Sequence, residues 1–138
     1  MKQEKQQAGS AVNIGLWIAQ VLLAGVFGMA GAMKLTAPIP TLVQNGMTWA
    51  ASMEWFVRFL GASELLGAIG MLVPSLTRIQ PRFTVYAAYG IILVMVSAAV
   101  LHLANAEYSH LPPVIVIGLV AGFVAHGRRV LAPIEPKS

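Results

Sequence analysis

Four long apolar stretches constrain this chain more than any other feature of its sequence. They cover residues 11–32, 55–73, 84–104 and 113–130. A helix of about 20 apolar residues crosses a hydrocarbon core of about 30 Å, so each stretch is long enough to span a membrane. The second stretch is expected to end at Pro74. The fourth has a shorter apolar core, so we expect its helix to continue past His126, with Arg128 and Arg129 reaching the headgroups.

Composition agrees with a membrane environment. Hydrophobic residues make up 57% of the chain, charged residues only 10%, and the mean hydropathy is +0.74. A soluble domain usually has about a quarter of its residues charged, so too few charges remain here to cover a water-exposed surface. The chain has no cysteine, which excludes disulfides, thiolate metal sites and thiol catalysis.

The net charge of +4 does not indicate a nucleic-acid partner. Most of the basic residues flank apolar stretches, and no basic stripe is interleaved with aromatic residues. An N-terminal signal peptide is the other alternative, because the sequence AGA at residues 30–32 resembles a cleavage site. The first apolar stretch is longer than a usual signal core, so we expect it to be retained as a transmembrane helix.

The spacing of the stretches predicts an all-α membrane protein, an antiparallel bundle of four transmembrane helices. Only the first connection is long. Its sequence, KLTAPIPTLVQNGMTWAASME, is too apolar for a free loop and too broken for another span. It is expected to form an interfacial segment with a short helix between helices 1 and 2. We therefore expect a polar tail at 1–10, one transmembrane domain at 11–131 and a second tail at 132–138.

Basic residues also predict the orientation. If both termini are cytoplasmic, the opposite side keeps only Lys34 and Arg58, in agreement with the positive-inside rule. The predicted location is a bacterial cytoplasmic membrane. The residues that would then face the cytoplasm are Lys2, Lys5, Arg78, Arg82, Arg128, Arg129 and Lys137.

Glu64 is the polar residue that most needs an explanation. It lies in the middle of the second stretch, in the sequence GASELLGAIGMLVP. A central charged residue costs about 2.5–3.5 kcal/mol to insert, so Glu64 is expected to be protonated or to meet a donor inside the bundle. It is either a hydrogen-bonding pin between helices or a functional group that exchanges protons or anchors a ligand.

Other polar residues gather towards the exoplasmic side. Lys34 ends the first stretch, His102 ends the third, and Glu54 and Arg58 are spaced for an ion pair at the start of the second. We predict a ligand-binding pocket formed by Lys34, Glu64 and His102, with Arg58 and Glu54 beside it. Glu64 and His102 are also candidates for a catalytic acid–base pair, although their depths differ by about 10 Å at a rise of about 1.5 Å per residue.

The histidines do not predict a metal site. His102 and His110 are separated across a helix end, and His126 is expected on the other side of the membrane. None of these spacings places two imidazoles side by side on one helix face, so no metal or haem ligand set is expected.

Three segments resemble the DoxX-like family of small membrane proteins: GVFGMAGAMKLTAP, FLGASELLGAIGMLVPSLTRIQP and AAYGIILVMVSAAVLHLANAE. The resemblance implies a compact bundle of four transmembrane helices. Some members are accessory subunits of redox complexes, including ones that pass electrons from sulfur compounds to quinones. The positions that match the family pattern are Lys34, Gly61, Glu64, Gly67, Pro74 and His102.

Three functions stay open at this point. The first is a redox-associated or accessory subunit that binds a lipid-like or quinone-like molecule. The second is an intramembrane isomerase or oxidoreductase that acts on an apolar substrate, and the third is a structural or assembly protein. The residues favour a protein that is not an enzyme. The bilayer is the expected partner, and a membrane-protein partner or a homo-oligomer also stays open.

Overall fold

A computed structural model describes the backbone of residues 2–137 and the side chains of residues 9–137. Five α-helices account for most of the described chain, and a π-helical turn, Gly127–Leu131, continues the last one. Short 3₁₀ turns at Thr48–Ala51 and Tyr108–His110 lie in the connections. The helices are α1 (Lys2–Thr36), α2 (Ile39–Gln44), α3 (Glu54–Thr77), α4 (Arg82–Ala104) and α5 (Leu111–His126).

Four helices are long and apolar enough to cross a membrane, which confirms the predicted all-α architecture with four spans. The candidate spans are Gly9–Thr36, Glu54–Thr77, Arg82–Ala104 and Tyr108–Leu131. The first of them belongs to α1, which begins at Lys2 and so also includes the polar residues that precede the span.

The helices form an antiparallel bundle in which α1 packs on α3, α3 on α4, and α4 on α5. Residues from all four long helices form its core, including Phe27, Met71, Ile91 and Val124. The outward faces carry large apolar side chains that are more than 60% exposed, with at least one on each span: Leu22, Leu66, Leu93 and Leu119. A soluble monomer rarely exposes so much apolar surface, whereas lipid tails would cover it.

The long first connection folds onto α3. Leu42 of α2 and Ala50 of the 3₁₀ turn are buried against Val57, near the start of α3. The connection therefore contains a short helix, as its sequence predicts. Together with residues 105–110 it forms what we call the loop end of the bundle. The other end, which we call the basic end, carries Arg78, Arg82, Arg128, Arg129 and Lys137.

The prediction that α3 ends at Pro74 is wrong, because the helix continues to Thr77. Proline has no N–H, so the carbonyl of Gly70 loses its usual helical donor. The Thr84 hydroxyl of α4 donates to that carbonyl at 3.1 Å. A side chain from the next helix thus compensates for the proline. The chain leaves α3 only at Arg78, where φ is 59° in the left-handed region.

Candidate functional site

The site begins with a close contact between the backbones of α1 and α3. A Cβ atom added to Gly31 would lie 2.7 Å from the Gly61 carbonyl oxygen and 2.8 Å from the Leu65 nitrogen. No real side chain fits in that space, so glycine is required for this approach. Close backbone contact through small residues is a common way to hold transmembrane helices together.

One turn beyond this contact, Lys34 of α1 and Glu64 of α3 form an ion pair. The Lys34 Nζ donates to both carboxylate oxygens, at 2.9 Å to Oε1 and 2.7 Å to Oε2. The two side chains are only 15% and 11% exposed. Of the two alternatives for Glu64, protonated or provided with a donor, the structure therefore shows the carboxyl group with a donor.

The pair also reveals the register of the two helices. Glu54 begins α3, about 15 Å before Glu64 at about 1.5 Å per residue. Lys34 is in the last turn of α1. The first turns of α3 therefore extend beyond the end of α1, where the connecting segment packs against them. The Glu64 backbone lies beside Gly31, whereas Gly61 lies beside Lys34 and Leu35, so Lys34 is about one helical turn nearer the loop end than Glu64.

Arg58 fastens the end of α1 to α3. Its Nη1 donates to the carbonyl oxygens of Lys34 at 2.7 Å and Ala37 at 2.8 Å. The helical donor for the Lys34 carbonyl would come from residue 38, which is a proline without an N–H. The predicted pair with Glu54 is also present, but it is long, with 3.6 Å between Arg58 Nη2 and Glu54 Oε1, and the glutamate is 63% exposed.

His102 has different partners from the other predicted site residues. Its Nδ1 lies 2.7 Å from the Glu107 Oε2, and its ring stacks on His110 with 5.0 Å between the ring centres. Within residues 9–137, no hydrogen bond joins His102 to Lys34 or Glu64. The structure thus separates the predicted residues into two groups: Lys34, Glu64, Arg58 and Glu54 in one, and His102 in the other.

In the part of the chain with described side chains, no group of three histidine, aspartate or glutamate side chains is close enough together to hold a metal ion.

The largest polar network among the side chains of residues 9–137 lies towards the basic end. The Gln20 side chain donates to the Met71 carbonyl at 2.7 Å and to the Ser75 hydroxyl at 3.1 Å. The Ser75 and Thr84 hydroxyls are 2.7 Å apart. These three side chains are almost completely buried, so the network links α1, α3 and α4 inside the bundle.

Arg128 completes the network, and the expectation that it reaches the headgroups is wrong. It is 5% exposed. Its Nε donates to Gln20 Oε1 at 2.6 Å, and its Nη1 donates to Asn13 Oδ1 at 2.6 Å and to the Ala132 carbonyl at 3.0 Å. The preceding residue, Gly127, lies so close to the Leu16 side chain that a Cβ would overlap it. This close approach brings the guanidinium inside.

A sequence signal for this network does exist. Asn13 and Gln20 are seven residues apart in the first apolar stretch, which places them on one face of a helix. Two amides on one face of a membrane span require polar partners. The sequence does not show that one partner is Arg128, because it comes from the other end of the chain.

Comparison with known proteins agrees with this architecture. The model of the DoxX-like family matches residues 18–124, which is most of the chain. No significant match was found among curated proteins or among solved structures. The match includes the second and third spans completely and the first and fourth in part, and it contains Lys34, Glu64 and His102. The chain therefore belongs to the DoxX-like family and is an integral membrane protein with four candidate transmembrane helices.

Proposed function

We propose that this protein is a redox-associated accessory membrane subunit that binds a quinone-like or lipid-like molecule beside the Lys34–Glu64 pair. The observation that supports this most is a charged pair set between two transmembrane helices yet still partly accessible. Intramembrane ionisable groups are costly and often functional. An amphipathic ligand could keep its apolar part in lipid while its oxygen atoms reach the pair.

The chemistry of the pair suits an oxygen-bearing ligand. An ammonium group has three N–H donors, and Lys34 directs its two described hydrogen bonds to Glu64. The remaining donor can bond a carbonyl or phenolate oxygen. Glu64 can then take or supply a proton next to that oxygen. His102, whose side chain is 24% exposed, is proposed as a further polar contact at the rim.

The same proposal includes an orientation. Both termini would face the cytoplasm of a bacterial cell, and the loop end would face outward. The support is the concentration of arginine and lysine at the basic end, whereas Lys34 and Arg58 at the loop end are both engaged in bonds within the protein. A ligand at Lys34 would then bind from the outer half of the membrane.

A purely structural role is the second candidate, and the same geometry gives it some support. Lys34 bonds both oxygens of Glu64, and Arg58 bonds two carbonyls at the end of α1. These bonds would by themselves fasten α1 to α3 in a structural or assembly protein. An acid–base enzyme has less support, because Glu64 and His102 each have a separate partner.

Co-purification tests the ligand. The protein would be purified from quinone-containing bacterial membranes in mild detergent, and the quinone per chain would be measured by mass spectrometry. Glu64→Gln keeps the size of the side chain and removes its charge. Glu54→Gln removes the exposed carboxylate at the same end and is the matched control.

We expect wild type and Glu54→Gln to retain a quinone-like compound. In Glu64→Gln the content should fall by about tenfold, the equivalent of about 1.4 kcal/mol of binding energy. Size-exclusion chromatography would verify that the variants are folded. If wild type carries only bulk phospholipid, or if all three proteins carry the same quinone content, the proposal is wrong.

A further inference from the structure

A cavity of about 920 Å³ opens at the basic end of the bundle. Its walls come from the turn between α3 and α4, the first turns of α4, the π turn and the C-terminal segment. Among the side chains of residues 9–137, no acidic one lines it. Its five basic residues are Arg78, Arg82, Arg128, Arg129 and Lys137.

Their charges have only neutral partners within the described side chains. Arg78 Nε donates to the backbone carbonyl of Glu135 at 2.8 Å, and Arg129 Nη1 donates to the Tyr89 hydroxyl at 3.0 Å. The three ion pairs found among residues 9–137 are all at the loop end. The positive-inside rule explains exposed basic residues at this end of a bundle, but it does not explain a buried one.

Arg128 is the buried one. Its three hydrogen bonds go to two side-chain amides and a backbone carbonyl, all neutral. Its Nη2 is buried and has no hydrogen-bond partner in the described part of the chain. The guanidinium also lies over the Trp17 ring, 5.1 Å from the ring centre. A buried charge without a counter-ion costs several kcal/mol, so an anion next to Arg128 would stabilise the folded chain.

We propose that this cavity binds a phosphate-type oxyanion, with Arg128 at its inner wall and Arg82 and Arg129 at its mouth. Guanidinium groups match phosphate oxygens in a two-pronged geometry, so several arginines around one cavity favour phosphate over a simple halide ion. The volume is enough for a phosphodiester headgroup, since sites for small molecules usually measure about 300–1,000 Å³.

Two sources can supply this group: the headgroup of an anionic phospholipid and a soluble phosphate compound. Basic pockets beside transmembrane helices suit the first source. Tyr86 and Tyr89, which also line the cavity, are residues typical of the membrane interface. This inference does not depend on the quinone proposal, which concerns the other end of the bundle.

Native mass spectrometry in a neutral detergent tests whether an anionic phospholipid is the source. Phosphatidylglycerol and phosphatidylcholine would be added at equal concentration to the full chain. We expect one phosphatidylglycerol to bind with a preference of about tenfold, equivalent to about 1.4 kcal/mol.

A second experiment tests a soluble phosphate compound as the source. Inorganic phosphate at millimolar concentration would be added without lipid, and thermal unfolding would be followed by tryptophan fluorescence.

A phosphatidylglycerol preference identifies the headgroup as the source. A phosphate-dependent rise in unfolding temperature without a preference for phosphatidylglycerol identifies a soluble phosphate compound as the source. Absence of both effects overturns the proposal.

Variants then locate the site. Arg128→Gln should abolish the effect. Because that variant could fail to fold, the exposed pair Arg82→Gln/Arg129→Gln is the second test and should weaken binding about tenfold. Ser109→Glu lowers the net charge by one at an exposed position of the loop end and is the control for net charge. An equal loss in Ser109→Glu and in the cavity variants would show attraction by net charge only and would contradict a site at Arg128.

Discussion

At the scale of single residues, two prolines explain how the helices are joined. Pro38 removes the helical donor of the Lys34 carbonyl, and Pro74 removes that of the Gly70 carbonyl. In both cases a side chain from another helix donates instead: Arg58 to Lys34 and Thr84 to Gly70. Each proline therefore turns a bond within one helix into a bond between helices.

This exchange predicts an energetic coupling between Pro74 and Thr84. Thr84→Val should lower the free energy of unfolding by about 1–3 kcal/mol, because the Gly70 carbonyl loses its donor. In a Pro74→Ala background the cost should be smaller, since the alanine N–H can bond Gly70 within the helix. The loss of the bond to Ser75 remains in both backgrounds.

Unfolding by sodium dodecyl sulfate in mixed micelles would measure the four proteins of this cycle. We expect a coupling energy of at least about 0.5 kcal/mol. Equal costs of Thr84→Val in the two backgrounds would mean that the hydroxyl does not substitute for the missing N–H.

At the scale of helices, the spans could be predicted because hydropathy is summed over about 20 residues and depends on no other part of the chain. Two predictions are wrong, the end of α3 and the exposure of Arg128, and both concern features that depend on contacts with other helices. Thr84 allows α3 to pass Pro74, while Asn13 and Gln20 keep Arg128 inside. Such partners come from other helices, so no local pattern reveals them.

The candidate site, like the helices, was predictable only where it does not depend on contacts between distant parts of the chain. The sequence predicts that Glu64 is protonated or meets a donor, and Lys34 is that donor in the structure. The contact between these two side chains was not predictable, because it depends on the register set by Gly31 and Gly61. His102 hydrogen-bonds Glu107 instead, because the chain turns back at Ala106, where φ is 56°, and brings that glutamate to it.

At the scale of the whole molecule, the bundle has two chemically different ends. The loop end holds paired charges, whereas the basic end holds basic residues with neutral partners. Under a membrane potential that is negative inside, the basic end is expected to stay in the cytoplasm.

The absence of native cysteine makes this orientation simple to test. Ser109→Cys places a thiol at the loop end and Glu135→Cys places one at the basic end, both at exposed positions. In intact cells, a membrane-impermeant maleimide should label Ser109→Cys at once and Glu135→Cys only after permeabilisation. The reverse pattern would invert the proposed orientation.

We propose that the Lys34–Glu64 pair holds a ligand as well as two helices, and exchanging the two charges tests this proposal most directly. The double variant Lys34→Glu/Glu64→Lys restores an ion pair but moves the ammonium from α1 to α3. Its quinone content would be measured together with its unfolding temperature. We predict an unfolding temperature close to that of wild type and a quinone content about tenfold lower. A folded exchange variant with the quinone content of wild type would contradict the account and leave the pair a structural role alone.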